Sequence, residues 1–251
     1  ERNFGTILKH SLGVYRDEMI ISTKAGFDMW EGPYGDGGSR KYLMASIDQS
    51  LLRMGLSYVD IFYHHVFDPE TPLEEVALAL DNAVKQGKTL YVGISNYNTE
   101  QTSKIKKIFD ELKTPFIINQ PSYSMLNRWI EEDGLKDYAY ENGLGLAVFS
   151  PLAQGLLTDK YLKTNTGSSS RPWMKSQPDE NTLKKLKKLN EIAANRGQKL
   201  SQMALSWVLR DDKITTVLIG ASRPEQITEN LQAVFKTDFS QEELTAIEDT
   251  L

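Results

Sequence analysis

Six short apolar runs, each ending in polar residues, alternate with stretches of helical periodicity along the whole chain. The runs are dense in isoleucine, valine, phenylalanine and tyrosine without strict alternation, which is typical of strands buried on both faces. Because β/α crossovers are right-handed, this repeat places the carboxyl end of every strand at one edge of a parallel sheet. The runs occupy 20–24, 59–65, 90–96, 116–120, 146–150 and 215–220, and the helical stretches occupy 39–55, 71–87, 98–113, 134–143, 183–197 and 200–212.

The chain length and the visible repeats predict different numbers of β/α units. A chain of 251 residues is long enough for a complete eight-stranded β/α barrel, yet only six units are visible. A glycine-rich loop at 25–39 and a polar stretch at 162–181 take up the remaining residues. The pattern therefore predicts an α/β fold that is either a six-unit array or a barrel whose first two units are missing from this sequence. We place no domain boundary at 162–181.

Composition excludes several classes of function. The formal net charge of −5 disfavours nucleic-acid and anionic membrane partners. Four lysines at 184, 185, 187 and 188 form the one basic cluster, and the leucines between them favour the solvated face of an amphipathic helix. The absence of cysteine excludes disulfides and thiolate metal sites, and no metal site is predicted. No apolar run approaches the roughly 20 residues of a membrane span, so we expect a cytoplasmic protein.

Two basic side chains end the first two predicted strands. Lys24 follows an apolar run, and a partly desolvated ammonium at a strand end can stabilise a phenolate or an oxyanion. His65 ends the second run, and strand alternation places it on the face opposite His64. A neutral imidazole there can donate a hydrogen bond to a carbonyl oxygen. The alternatives are a solvated lysine and a structural histidine, but the pairing of the two strand ends favours a functional role.

Amide and aromatic side chains end the next strands. Ser95, Asn96 and Gln120 offer paired donors and acceptors of the kind that suit a carboxamide. Loop capping by asparagine and serine is the alternative. Phe149 ends the fifth run, where its ring can stack on a flat heterocycle or pack in the core.

Two later segments have the composition of anion sites. The segment SPLAQGLLTDKY at 150–161 offers backbone N–H groups and Lys160, which suit a diphosphate. In IGASRPEQITEN at 219–230, a strand turns at Gly220 into a helix that Ser222, Arg223 and Pro224 are predicted to open. No strand is followed by the glycine fingerprint of the Rossmann fold, so that fold is not predicted.

Taken together, six motifs in order resemble the aldo-keto reductase superfamily. The resemblance is greatest to its potassium-channel β-subunit-like branch and, within that branch, to bacterial L-glyceraldehyde-phosphate reductases. It implies an NADPH-binding (β/α)8 TIM barrel that reduces aldehydes with an Asp, a Tyr, a Lys and a His. On this basis 1–251 is a single, N-terminally incomplete barrel domain with about six of the eight units. The motifs are STKAG, YVDIFYHH, YVGISNY, INQPSYSMLNR, SPLAQGLLTDKY and LIGASRPEQITEN.

The resemblance implies a role for each matching position. Lys24 and His65 match the family's catalytic lysine and histidine. Ser95, Asn96 and Gln120 match the contacts to the nicotinamide amide, and Phe149 the aromatic residue that stacks on its ring. The family's diphosphate loop corresponds to Ser150, Pro151, Leu152, Gln154, Gly155 and Lys160. The residues that contact the adenosine and its 2′-phosphate correspond to Gly220, Ser222, Gln226, Glu229 and Asn230. Arg171 is a further expected contact to that phosphate.

This sequence departs from the family pattern in two ways. The family's Asp and Tyr precede a segment that resembles ERNFG, where this sequence starts. We therefore expect the proton donor to lie in two β/α units upstream of Glu1, because a six-stranded remnant would expose unpaired edges. Gln226 stands where many members carry an arginine, which weakens the preference for NADPH over NADH but does not remove it.

The function expected from these observations is NADPH-dependent reduction of small aldehydes or α-oxoaldehydes, such as methylglyoxal or glyceraldehyde phosphates. Trp30 and Tyr34, in the loop after the first strand, are the expected walls of the substrate pocket. One alternative is a nucleotide-binding regulatory subunit with little turnover, and another is an inactive fragment. The sequence leaves the oligomeric state open, with a homo-oligomer among the alternatives.

Overall fold

A computed structural model describes residues 1–162 and 178–251. The described chain divides into two compact units. The first unit comprises Glu1–Pro121 and Asp133–Gly145, and the second comprises Ser122–Glu132 and the described part of Leu146–Leu251.

Four parallel strands form the sheet of the first unit. They are β1 (Ser22–Ala25), β2 (Val59–His64), β3 (Thr89–Ser95) and β4 (Phe116–Gln120), and they pair in chain order. Their register places Lys24 opposite Tyr63, Tyr63 opposite Gly93 and Gly93 opposite Ile118, so these four positions share one face. Two residues further along, Ser95 lies opposite Gln120 on the same face.

Helices cover the other face of this sheet. Leu43, Ile47 and Leu80 from two of the helices are fully buried with Phe62 and Ile94 from the strands, in one apolar cluster. The helices are α1 (Arg2–Ile7), α2 (Arg40–Met54), α3 (Leu73–Lys85), α4 (Thr99–Leu112) and α6 (Leu135–Glu141), with a π-helical turn at Leu8–Leu12 and a 3-10 segment at Gly13–Glu18.

Local sequence explains where these helices begin and end. Ser39 accepts a hydrogen bond from the Tyr42 N–H at the start of α2, and Asn98 forms a capping box with Gln101 at the start of α4. The sequence Thr71, Pro72 and Glu74 predicts Thr71 as the N-cap of α3, with a first-turn proline and an acidic N3 residue, but this prediction was wrong. The Thr71 hydroxyl instead donates to Asp68 Oδ2 at 2.7 Å, and Pro72 occupies the N-cap position.

The second unit contains a short parallel pair and five helices. Strands β5 (Gly145–Val148) and β6 (Thr216–Val217) pair at Ala147–Thr216 and Val148–Val217. The last strand is therefore much shorter than the run predicted at 215–220. The helices are α5 (Trp129–Glu132), α7 (Glu180–Asn195), α8 (Leu200–Val208), α9 (Pro224–Leu231) and α10 (Gln241–Glu248), with 3-10 turns at Ala153–Gly155, Asp159–Tyr161 and Gln232–Phe235.

The lysine cluster lies on the solvated side of α7. Leu186 and Leu189 are fully buried, whereas Lys184, Lys187 and Lys188 are exposed. This pattern confirms an amphipathic helix. Within the described residues, no helix has the length and apolar character that crossing a membrane requires.

Gly93 provides a test of the packing on the inner face of the first unit. A Cβ at this position would lie 2.6 Å from two Tyr63 ring carbons and 2.9 Å from Ile118 Cγ2. We expect Gly93→Ala to lower the free energy of unfolding by about 1–3 kcal/mol, because both neighbours lie in a packed sheet. Urea denaturation measures this change.

Gly220→Ala is the matched control, because no atom lies within 4 Å of a Cβ at that position. Its unfolding free energy should stay within about 0.5 kcal/mol of the starting protein. Equal midpoints for the two variants would contradict the packing of Tyr63 and Ile118 against Gly93.

Candidate active site

Lys24 and His65 lie side by side at the carboxyl ends of β1 and β2. The Lys24 ammonium lies 5.3 Å from the centre of the Tyr63 ring, on the face that these residues share. His65 follows β2, and its N–H donates to the Ala25 carbonyl at 2.9 Å. Because His65 and Tyr63 are two residues apart on one strand, the imidazole lies on the same face as the ammonium.

The electrostatics of this pair suit polar chemistry near neutral pH. Burial lowers the pKa of Lys24. Burial and, secondarily, the Lys24 charge lower the pKa of His65 to about 4, so the imidazole is neutral at neutral pH. Among the described residues, no carboxylate oxygen forms a salt bridge with Lys24. The pair therefore combines an uncompensated cation with a neutral hydrogen-bonding ring.

His64 lies on the opposite face and has a different environment. It is fully buried, and its Nδ1 lies 2.6 Å from the Tyr97 hydroxyl. Burial lowers its pKa to about 4. Of the two adjacent histidines, the register therefore turns His65 toward Lys24 and His64 toward the helices.

Ser95, Asn96 and Gln120 form a linked polar cluster next to His65. The Ser95 hydroxyl donates to the Gln120 carbonyl at 2.8 Å. Asn96 Nδ2 donates to the His65 carbonyl and to Ser95 Oγ, both at 3.1 Å. Burial raises the pKa of the Tyr63 hydroxyl to about 12, and the Gln120 side chain opposes part of that rise.

The cluster fits a carboxamide ligand such as that of nicotinamide. With both Nδ2 bonds directed to protein oxygens, Asn96 Oδ1 is an acceptor for which the described residues provide no hydrogen-bond donor. A carboxamide has the N–H donors that such an oxygen requires. Asn96 also has a φ of 58°, a left-handed conformation that a non-glycine residue seldom adopts.

The loop after β1 brings an aromatic ring to His65, but not one of the two predicted rings. Phe27 meets the imidazole edge to face, with ring centres 4.4 Å apart. Trp30 packs instead against Tyr42 at 5.2 Å, and Tyr34 lies beneath the Lys41 ammonium. Phe27 was not predicted as a site residue from the sequence. The available signal was the preceding glycine, which lets the chain pass close to the next strand.

In the second unit, Phe149 is followed by a turn of unusual backbone conformation. The Phe149 carbonyl accepts from the Tyr123 N–H at 3.1 Å, and its side chain is half-buried. Ser150, Ala153 and Gln154 have φ values of 56°, 47° and 57°. Strain at three non-glycine positions in one loop is typical of a ligand site. The same turn contains the predicted residues Pro151, which is buried, Leu152, and Gly155, whose φ is 94°.

Two of the residues predicted for the adenosine end, Ser222 and Gln226, lie at the start of α9. Gln226 Oε1 accepts from the Ser222 N–H at 2.8 Å and from its hydroxyl at 3.2 Å. Ser222 therefore does not cap the helix, since Arg223 is the N-cap residue. Ser222 would have to release this bond to donate to a 2′-phosphate, whereas Gln226 could donate from Nε2, which the bond does not use.

The remaining predicted positions have varied surroundings. Glu229 pairs with Lys199 at 2.7 Å, and Asn230 is buried near the end of α9. Gly220 and Lys160 are exposed, and the Lys160 ammonium lies 5.2 Å from the Tyr161 ring centre. Arg171 lies outside the described residues.

Comparison with known proteins identifies the family. The family model described as the Aldo/keto reductase family matches residues 1–251. The chain is similar to the L-glyceraldehyde 3-phosphate reductase of Escherichia coli strain K12, with 54% identity over 256 residues that cover 99% of this chain and 74% of the relative.

Potassium-channel subunits are more distant relatives. The probable voltage-gated potassium channel subunit beta of Oryza sativa subsp. japonica is 33% identical over 232 residues, which cover 89% of this chain and 70% of the relative. A putative subunit beta of Schizosaccharomyces pombe is 35% identical over 234 residues, with 89% and 68% covered. With its parallel β/α architecture and its whole length matched, the chain belongs to the aldo/keto reductase family of oxidoreductases, whose fold is the (β/α)8 barrel.

Proposed function

We propose that this protein uses NADPH to reduce small aldehydes or α-oxoaldehydes, such as methylglyoxal or glyceraldehyde phosphates. The observation that carries the proposal is the placement of the Lys24 ammonium and the neutral His65 imidazole on one face at adjacent strand ends. The Escherichia coli relative is an L-glyceraldehyde 3-phosphate reductase, and this supports the choice of substrate class.

His65 and Lys24 have complementary roles in this proposal. NADPH, when bound, supplies the hydride. The neutral imidazole donates a hydrogen bond to the substrate carbonyl oxygen and orients the carbonyl carbon. The Lys24 ammonium supplies positive potential where negative charge develops, and burial makes that potential stronger than it would be in water. The resemblance implies a tyrosine as the proton donor, and no residue of this sequence is assigned that role.

Both units contain residues that we assign to the cofactor. In the first unit, Ser95, Asn96 and Gln120 bind the carboxamide, which the acceptor on Asn96 supports. In the second unit, Phe149 stacks on a flat ring. The strained turn 150–155 and Lys160 bind the diphosphate, and Gly220, Ser222, Gln226, Glu229 and Asn230 bind the adenosine end. Arg171, Trp30 and Tyr34 keep their predicted roles. The single-domain organisation and the cytoplasmic location remain predictions, and the oligomeric state stays open.

Substitution of Lys24 tests the proposed activity. We expect Lys24→Met to lower kcat/KM for methylglyoxal by at least about a hundredfold, because an electrostatic donor to the transition state is lost. The measurement is NADPH oxidation by the full-length protein in the presence of methylglyoxal. Lys107→Met is the matched control, since Lys107 is exposed on α4. Equal rates for the Lys24 variant and the starting protein would rule out the role given to Lys24.

The protonation state of His65 predicts the acid limb of the pH profile. Burial, followed by the Lys24 charge, lowers the pKa of His65 to about 4, so the neutral imidazole persists well below the pKa of free imidazole. We expect kcat/KM to stay level as the pH falls through about 6.5 and to decline as it approaches the pKa of His65. An acid limb centred on the pKa of free imidazole would contradict the burial of His65.

A regulatory role is the second candidate, and the similarity to potassium channel subunits beta favours it. In that case cofactor occupancy would act as a signal and turnover would be incidental. The resemblance favours the reductase, because regulatory relatives often have asparagine at the position of His65. Negligible turnover with tight NADPH binding, together with copurification of a channel, would support the regulatory role instead.

A further inference from the structure

We propose that Phe27 determines the substrate specificity of this site by closing the space beside His65 to bulky carbonyl compounds, and that Tyr42 positions Phe27. This inference rests on the proposed function, since it concerns the same site. Neither residue is among the catalytic, cofactor or substrate residues assigned above.

Phe27 covers one side of the imidazole while keeping a free surface. The two rings meet at 84° with their centres 4.4 Å apart, an edge-to-face geometry that aromatic pairs prefer. Phe27 is 49% exposed, so about half of the residue is free to contact a ligand beside His65. A small carbonyl compound can use this surface as a wall, whereas a bulky one would have to displace the ring.

The backbone before Phe27 directs the ring to this position. Gly26 has a φ of 147°, and a Cβ there would lie 3.1 Å from the backbone nitrogen of His65 and 3.2 Å from the His65 Cβ. Only glycine avoids both the strain and the close approach. The backbone therefore passes directly beside His65, and the side chain of the next residue, Phe27, contacts the imidazole ring.

A hydrogen bond from Tyr42 fixes the backbone of Phe27. Tyr42 is fully buried on α2, and its hydroxyl donates to the Phe27 carbonyl at 2.5 Å. A rigid helix thus fixes the start of a loop that would otherwise be free to move. At the far end of the loop, the Gly38 N–H donates to Asp68 Oδ2 at 2.8 Å, and Asp68 also accepts from the Thr71 hydroxyl.

The same ring also keeps water away from His65. Burial is the largest cause of the lowered His65 pKa, and Lys24 on β1 is the second. The other titratable groups nearby act on neighbours of His65. After burial, which is the largest cause for both groups, Asp68 raises and His65 lowers the pKa of His64, and Asp36 and Asp28 raise the pKa of Tyr42. Removing the Phe27 ring should therefore raise the His65 pKa toward that of free imidazole.

The first test compares two α-oxoaldehydes of different size. We expect Phe27→Ala to shift the ratio of kcat/KM for phenylglyoxal to that for methylglyoxal by about tenfold or more in favour of phenylglyoxal, the scale on which a pocket wall discriminates. Met29→Ala is the control, because Met29 is exposed in the same loop and should leave the ratio unchanged. An unchanged ratio for Phe27→Ala would overturn the specificity role.

The second test needs no turnover. The chain has only three histidines, so an NMR titration can follow each imidazole after assignment with His10→Gln and His64→Asn. We expect the His65 pKa to rise in Phe27→Ala and to stay low in Met29→Ala. A His65 pKa unaffected by the loss of the ring would overturn the claim that Phe27 desolvates it.

The third test separates positioning from simple stabilisation. Tyr42→Phe keeps the ring that packs on Trp30 but removes the bond to the Phe27 carbonyl. We expect its specificity ratio to move in the direction of Phe27→Ala, and its His65 pKa to rise. Tyr91→Phe, at an exposed position of β3, is the control. A lower melting temperature for Tyr42→Phe with an unchanged ratio and unchanged His65 pKa would show that Tyr42 is only structural.

The outcomes distinguish this inference from the proposed function. A full-length protein that reduces neither substrate would refute the proposed function, while the NMR titration would still report whether Phe27 covers His65. If the protein reduces methylglyoxal but Phe27→Ala leaves the ratio of kcat/KM for phenylglyoxal to that for methylglyoxal unchanged, this inference alone is refuted.

Discussion

The parallel register of the first unit is the constraint on which the candidate site depends. Because Lys24 is opposite Tyr63, and Tyr63 is opposite Gly93, every second residue along these strands is assigned to one face. A shift of one residue would turn His64 toward Lys24 and would bury His65. Gly93 contributes to this arrangement through the space it leaves for the Tyr63 ring, which lies under the Lys24 ammonium.

The chemical character of the site follows from partial burial. In water, Lys24 and His65 would behave as an ordinary surface lysine and a histidine that titrates near neutrality. On this face, burial lowers both pKa values, and the ammonium lowers that of the imidazole further. The result is a fixed positive potential next to a neutral hydrogen-bond donor, the combination needed to polarise a carbonyl group without protonating the histidine.

Backbone strain marks the segments assigned to the cofactor. Five non-glycine residues of the described chain have positive φ, and four of them are Asn96, Ser150, Ala153 and Gln154. The fifth, Lys113, ends a helix in the usual left-handed cap. Strain of this kind persists only where the surrounding structure imposes it, so its concentration in the carboxamide cluster and in the turn after Phe149 supports a binding role for both.

The sequence by itself determined the order and type of the main elements and the family. The apolar runs and helical stretches predict all six strands and most of the helices, because these depend on local periodicity and on capping residues such as Ser39 and Asn98. The same reasoning located Lys24 and His65 at strand ends. It did not find α1, α5 or α10, and it assigned the cap of α3 to Thr71, although the Thr71 hydroxyl donates instead to Asp68, three residues earlier in the chain.

Only the tertiary structure decided which side chains meet. Trp30 and Tyr34 were as plausible as Phe27 from the sequence, since all three lie in one glycine-rich loop. The loop path is set by the approach of Gly26 to His65 and by the hydrogen bond from buried Tyr42, both of which join residues far apart in the chain. Local periodicity specifies elements, whereas contacts between elements depend on packing that no single segment contains.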